Sequence, residues 1–241
     1  MPLERMEKMN SGKQTNNRKT IRFVVGVGLF SALAYAVVGL CQIIPDVNGF
    51  LSIEIKDAVI VIASFIYGPL AGPIISLIVS FIEMITFSST GPWGFLMNFV
   101  SSSVFALTAS LIYKYKKSLN YAIFGLVGSV VATTLTMIAL NPIIVPLYSG
   151  APVQYVISLI TPLLLPFNFA KAMLNAAAAL LLYKPLINAM RAAGMIKAGE
   201  YKTTFNKTTV ISLITGAVFL AVSLGMIVAL LVLFPPPAAD V

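Results

Sequence analysis

The sequence predicts an all-α polytopic membrane protein: a six-helix core followed by a seventh, C-terminal transmembrane helix. Three observations carry that expectation. Of 241 residues, 59% are hydrophobic and only 10% charged, where a soluble domain has roughly 25% charged. The mean hydropathy is +0.95. Long apolar runs alternate with short polar segments in which the basic residues gather. Of the 16 Lys and Arg, six precede the first run (Arg5, Lys8, Lys13, Arg18, Lys19, Arg22), three are Lys114, Lys116 and Lys117, and five lie at or beyond Lys184. Basic clusters in alternate loops are the positive-inside pattern. The net charge of +8 therefore reports topology, with a cytoplasmic N-terminus, rather than a nucleic-acid partner.

The residue inventory excludes several chemistries. Cys41 is the single cysteine and there are no histidines, so no intrachain disulfide forms and the commonest general base and metal ligand is missing. No Gly-x-x-x-x-Gly-Lys-Ser/Thr loop occurs, so ATP hydrolysis by that route is excluded. With no serine–base pair or metal-ligand cluster either, an enzyme is disfavoured and no cofactor or metal is expected.

In chain order, residues 1–21 are polar and read as a disordered cytoplasmic tail. Span 1, from about Arg22 to Ile44, is longer than a signal-peptide core and lacks an Ala-x-Ala cleavage pattern, so it is retained. Its Gly28, Ala32 and Ala36 repeat every fourth residue, a small-residue stripe suited to close helix packing, within this chain or against a partner subunit. Pro45-Asp46-Val47-Asn48-Gly49 signals a turn, and Phe50 to Ile55 alternates apolar with polar, a short strand pattern in an outer loop. Span 2, Ala58 to Tyr67, is too short to cross alone, so part of that loop must dip toward it. Gly68-Pro69 and Gly72-Pro73 punctuate the return to span 3, which carries Glu83 and ends near Phe87. Span 4 runs from Trp93 to Tyr113 and includes Asn98; span 5 runs from about Tyr121 to Leu140 and should end at Asn141-Pro142. The apolar but proline-rich stretch from Ile143 to Leu165 is expected to be an outer loop leading into span 6. Residues 22–188 thus form the membrane core, 189–208 a basic cytoplasmic linker, and 209–241 the extra helix (about Thr209 to Phe234) and a short tail, with the C-terminus outside.

The chemistry concentrates in span 6, within Pro166-Phe167-Asn168-Phe169-Ala170-Lys171 and on to Asn175. Asn168, Lys171 and Asn175 are spaced i, i+3, i+7 and share one helical face. Lys171 reads as the one basic residue inside a span, and an intramembrane charge points to a functional site. Counted back from Lys184, Lys171 lies about 20 Å along the helix and Asn168 about 24 Å, in the outer third of a core about 30 Å thick. Helix packing satisfied by neighbours is the plainer alternative.

At these motifs the chain resembles the substrate-binding (S) components of energy-coupling factor vitamin transporters, most closely the riboflavin-specific ones. The resemblance covers about Val24 to Ile187. It rests on Tyr67-Gly68-Pro69-Leu70-Ala71-Gly72, Thr90-Gly91-Pro92 with Asn98, Leu140-Asn141 ahead of prolines, and above all Pro166 to Lys171. It implies a six-helix subunit that captures riboflavin from outside and works with a transmembrane coupling subunit and two ATP-binding subunits on other chains. Gly28, Ala32 and Ala36 are similar to the family's docking stripe. The residues fit a flavin: Asn141 and Asn168 offer a donor and an acceptor each to its uracil-like edge, and Lys171 a further donor. Phe50, Leu51, Trp93 and Tyr148 suit the apolar ring, and Glu83, Asn98 and Asn175 add polar capacity. Trp93 and Tyr148 equally suit an interfacial aromatic belt, and Glu83 can instead pair with Lys171. Other readings are an S component for thiamin, pyridoxine or pantothenate, and a solitary ion-coupled carrier.

Overall fold

A computed structural model describes residues 2–88, 90–192 and 207–235. Its elements are α1 (Pro2–Cys41), α2 (Lys56–Tyr67), α3 (Ala71–Thr86), α4 (Gly91–Tyr115), α5 (Leu119–Ser149), α6 (Val153–Ser158), a π-helical turn (Ile160–Leu164), α7 (Leu165–Ala192) and α8 (Lys207–Leu233). Helices α1 to α5 and α7 make the six-helix core, and α8 is the seventh. Five helices are long and apolar enough to cross a membrane: Thr20–Cys41, Gly91–Tyr115, Leu119–Ser149, Ile160–Leu186 and Val210–Leu233. This is a multi-pass membrane protein.

The centre of the fold is its shortest core helix. In α2 every residue from Lys56 to Phe65 is buried, because α1, α3, α4 and α7 all pack on it. A helix apolar on all sides, as Ala58-Val-Ile-Val-Ile-Ala63 is, finds burial only in such a place. Twelve residues rise only about 18 Å, so the remaining depth is filled by the preceding loop. Val47, Ile53 and Glu54 are buried there. At the other end Gly68 takes φ +103°, a conformation other residues rarely adopt, and turns the chain into α3. A side chain at Gly72 would meet Ser64 and Ala106, so α2, α3 and α4 approach closely through that hydrogen atom.

Several expectations are corrected. The polar segment expected as a disordered tail continues α1 as helix from Pro2; proline suits a first helical position, and a formed span propagates helix at little nucleation cost. The loop from Phe50 to Ile55 forms no strand; it holds one isolated antiparallel bridge, Val47 to Leu51. Span 5 does not stop at Asn141-Pro142. Helix α5 carries Pro142 and Pro146 inside it and ends at Gly150, whose φ of +69° terminates it. Pro142 cannot donate to the Ile138 carbonyl, yet the helix continues past it, and the Asn141 side chain turns back along the helix to the Met137 carbonyl at 2.6 Å; membrane helices tolerate such prolines. The outer loop expected to Leu165 is thereby shortened to α6 and the π turn, which join directly onto α7. Helix α7 runs to Ala192 through Pro185, and the rest of the basic linker, 193–206, lies outside the described residues.

Candidate functional site

The loop entering α2 offers the helix no capping side chain of its own: Ile55 stands at the N-cap. The first N–H groups of a helix need partners from elsewhere. One comes from α7. Asn175 Oδ1 accepts the Ala58 N–H at 3.0 Å, and Asn175 Nδ2 donates to the Glu54 carbonyl at 2.8 Å and the Lys171 carbonyl at 3.0 Å. Asn175 is fully buried and both its N–H groups are used. It fastens α2 to α7 and does not line the cavity described below, which corrects its expected place among the ligand-binding residues.

Above this staple lies a chain of alternating charges. Lys171 Nζ donates to Glu54 Oε2 at 3.1 Å and to the Ser52 carbonyl at 3.0 Å. Glu54 Oε2 also pairs with Lys56 Nζ at 2.9 Å, and Lys56 donates in turn to Glu83 Oε2 at 2.5 Å. Asp57, next along, accepts a hydrogen bond from Ser102 Oγ. Lys56, the first residue of α2, is a second cation inside the fold and at 1% exposure is buried more deeply than Lys171; and Glu83 is paired with Lys56 rather than Lys171. Glu54 and Lys56 were passed over because their segment reads as an outer loop. The signal for them was Glu54-Ile55-Lys56-Asp57 standing directly before a wholly apolar helix.

A cavity of about 130 Å³ opens on this network. Glu83, Asn98, Asn141, Tyr148, Asn168, Lys171, Phe50 and Leu51 line it, brought together from α3, α4, α5, α7 and the loop after α1. Trp93 does not; it sits in the first turn of α4, 38% exposed. Ser52, Glu54, Phe87, Thr90, Met137 and Phe167 are lining residues that sequence reasoning missed. The lining comes from the ends of helices that, at their other ends, carry Arg22, Lys114 and Lys184. The cavity therefore opens opposite the basic clusters.

Among the lining side chains, Asn141, Asn168 and Lys171 keep hydrogen-bonding capacity toward the cavity. Asn168 gives one N–H to the Leu164 carbonyl at 2.7 Å and Asn141 one to Met137, so each amide retains its oxygen and a second N–H. Lys171 uses two of three donors on Ser52 and Glu54. On α1, Val27, Phe30, Ala34 and Val38 pack inward, whereas Gly28, Ala32 and Ala36 are exposed and nothing lies within 4 Å of a side chain placed at Gly28. Among the described residues, nothing packs against Gly28.

Comparison with known proteins agrees with this architecture. Residues 22–183 match the family model described as ECF transporter, substrate-specific component. The chain is 28% identical over 189 residues to riboflavin transporter RibU of Staphylococcus aureus (strain TCH60), covering 76% of this chain and 99% of the relative. It is 29% identical over 185 residues to riboflavin transporter FmnP of Bacillus subtilis (strain 168), covering 72% of this chain and 97% of the relative. A solved structure described as the S component of a bacterial ECF transporter superimposes with a TM-score of 0.61 at 28% identity, over 71% of this chain and 99% of that one. With most of its core matched and the six helices in place, this chain belongs to the family of ECF transporter substrate-specific components.

Proposed function

We propose that this chain is a riboflavin-binding S component, capturing the vitamin from outside the cell and delivering it through an ATP-driven ECF transporter. The observation that carries this reading is the convergence of Asn141, Asn168 and Lys171 on one cavity, each with spare hydrogen-bonding capacity. A flavin presents on its uracil-like edge an N–H between two carbonyl oxygens. Two amides match that alternation, and a lysine N–H adds charge assistance to one carbonyl. Phe50, Leu51, Tyr148, Phe87 and Phe167 provide the apolar walls a flat ring needs. Glu83, Asn98 and Thr90 then serve the ribityl hydroxyls. The riboflavin transporters among the relatives support the same ligand.

Placed with its basic ends in the cytoplasm, the cavity faces outward. The exposed Gly28–Ala32–Ala36 face is then the docking stripe for a transmembrane coupling subunit, which two ATP-binding subunits would drive. The test is a fluorescence titration of the purified protein against riboflavin alongside thiamin, pyridoxine and pantothenate. Saturable quenching of flavin emission is expected; a response to another vitamin and none to riboflavin would reassign the ligand.

A further inference from the structure

Helix α8 lies beyond the residues that the family model covers, and the capture reading above gives it no task. Its position suggests one. It packs along α7 and touches α5. Its last turns meet the loop that covers the cavity: the Phe234 carbonyl accepts the Asn48 N–H at 3.0 Å. Ile227 and Leu230 are buried in one apolar cluster with Val47 and Ile53 of the loop and Phe167 of α7, and Phe50, Leu51 and Phe234 pack against it.

The end of the loop at Ser52–Glu54 is held by Lys171 and Asn175, and Phe50 and Leu51 also pack on the apolar cluster of Val145, Val156 and Leu164; the tip before them leans on α8. It holds a single bridge, and Asn48 and Gly49 both sit at positive φ, 54° and 75°. Yet the loop supplies Phe50, Leu51, Ser52 and Glu54 to the cavity, so Phe50 and Leu51 stand between the ligand site on one side and the α8 cluster on the other. Ordering a loop on binding costs conformational entropy, and holding it ready removes that cost.

We propose that Phe234, Leu230 and Ile227 of α8 are positioning residues that hold the 47–55 loop in its ligand-covering place, and so set how long a bound flavin stays. The identity of the ligand rests on the proposed function; the tethering of the loop does not.

The experiment uses the full chain in detergent, with Phe234→Ala and Leu230→Ala as test variants. Val228→Ala and Val232→Ala on the exposed side of the same helix are the controls. Two quantities are read: the riboflavin release rate, from recovery of flavin fluorescence on dilution, and amide hydrogen exchange of residues 47–55 in the ligand-free protein. The test variants should release riboflavin about three- to tenfold faster, since changes within one binding site act mainly on the dissociation rate. Exchange in 47–55 should rise with it while the controls match wild type. Folded test variants with unchanged release would overturn the proposal, as would faster release shared equally by the controls. If Leu230→Ala does not fold, the half-buried Phe234 at the helix end still decides the matter. If wild type binds no riboflavin, the ligand reading fails by itself, and unchanged exchange in Phe234→Ala would separately overturn the tether.

Discussion

Asn175, deep in α7, caps the N-terminus of α2 from 117 residues away: its Oδ1 takes the Ala58 N–H at 3.0 Å. The same amide ties down the Glu54 carbonyl, so the geometry of the ionic network above it depends on this one side chain. Asn175→Ala removes a cap, worth about 0.5–2 kcal/mol, and leaves a buried carbonyl and N–H short of partners at about 1–3 kcal/mol. The variant should melt clearly below wild type in a thermal-unfolding assay. A melting temperature equal to wild type would deny it the capping role.

Lys171→Ala should weaken riboflavin binding roughly tenfold to hundredfold, for a charge-assisted bond of about 1.5–3 kcal/mol. Asn168→Ala should weaken it less, a neutral bond netting about 0.5–1.5 kcal/mol. Lumichrome, which keeps the uracil-like edge but lacks the ribityl chain, should lose affinity in parallel. Unaltered titration curves would remove both residues from the ring-binding set.

Removing Lys171 has a second effect that sequence reasoning did not foresee. In the structure it strands Glu54, which keeps only Lys56. A buried ion with its partner deleted is destabilising. Lys171→Ala should therefore lose thermal stability and Glu54→Gln should restore part of it, so that the double mutant is less damaged than the sum. Additive losses would mean the pair is not coupled.

Lys56 serves two carboxylates, Glu54 and Glu83, at 1% exposure. Lys56→Met should cost more than Lys171→Ala, about 3–5 kcal/mol, the range for breaking a buried pair. Adding Glu83→Gln should recover folding yield, measured by size-exclusion chromatography. Equal yields for the two single variants would place Lys56 outside the essential network.

Ala32 and Ala36 are exposed on α1, so a larger side chain there points away from the buried face of the described residues. Ala36→Leu should leave riboflavin titration and melting temperature at wild-type values while abolishing uptake in cells that contain the complete transporter. Normal uptake would move the docking surface elsewhere.

The sequence by itself determined the all-helical membrane fold, the end of the bundle where chemistry gathers, and the face of span 6 that carries it. These follow from one-dimensional facts: apolar length against bilayer thickness, the placement of basic clusters, and the distance from Lys184 back to Lys171. It did not determine what each member of that face does. Asn168 and Asn175 share a face but differ by seven residues, about 10 Å of depth, so one lines the cavity while the other lies beneath it against α2. The partner of Lys171 was equally illegible, since Glu54 lies 117 residues away on a segment whose polarity reads as solvent-exposed loop. Only packing draws that segment inward: α2 is too short to fill its share of the membrane, and the loop before it must supply the rest, carrying Glu54 and Lys56 with it. In α5, likewise, Pro142 and Pro146 stand inside a helix that local preference alone would end. Local sequence sets what each segment prefers, and the tertiary structure decides which buried polar group meets which, because a charge inside a bilayer is tolerated only where a partner is delivered to it.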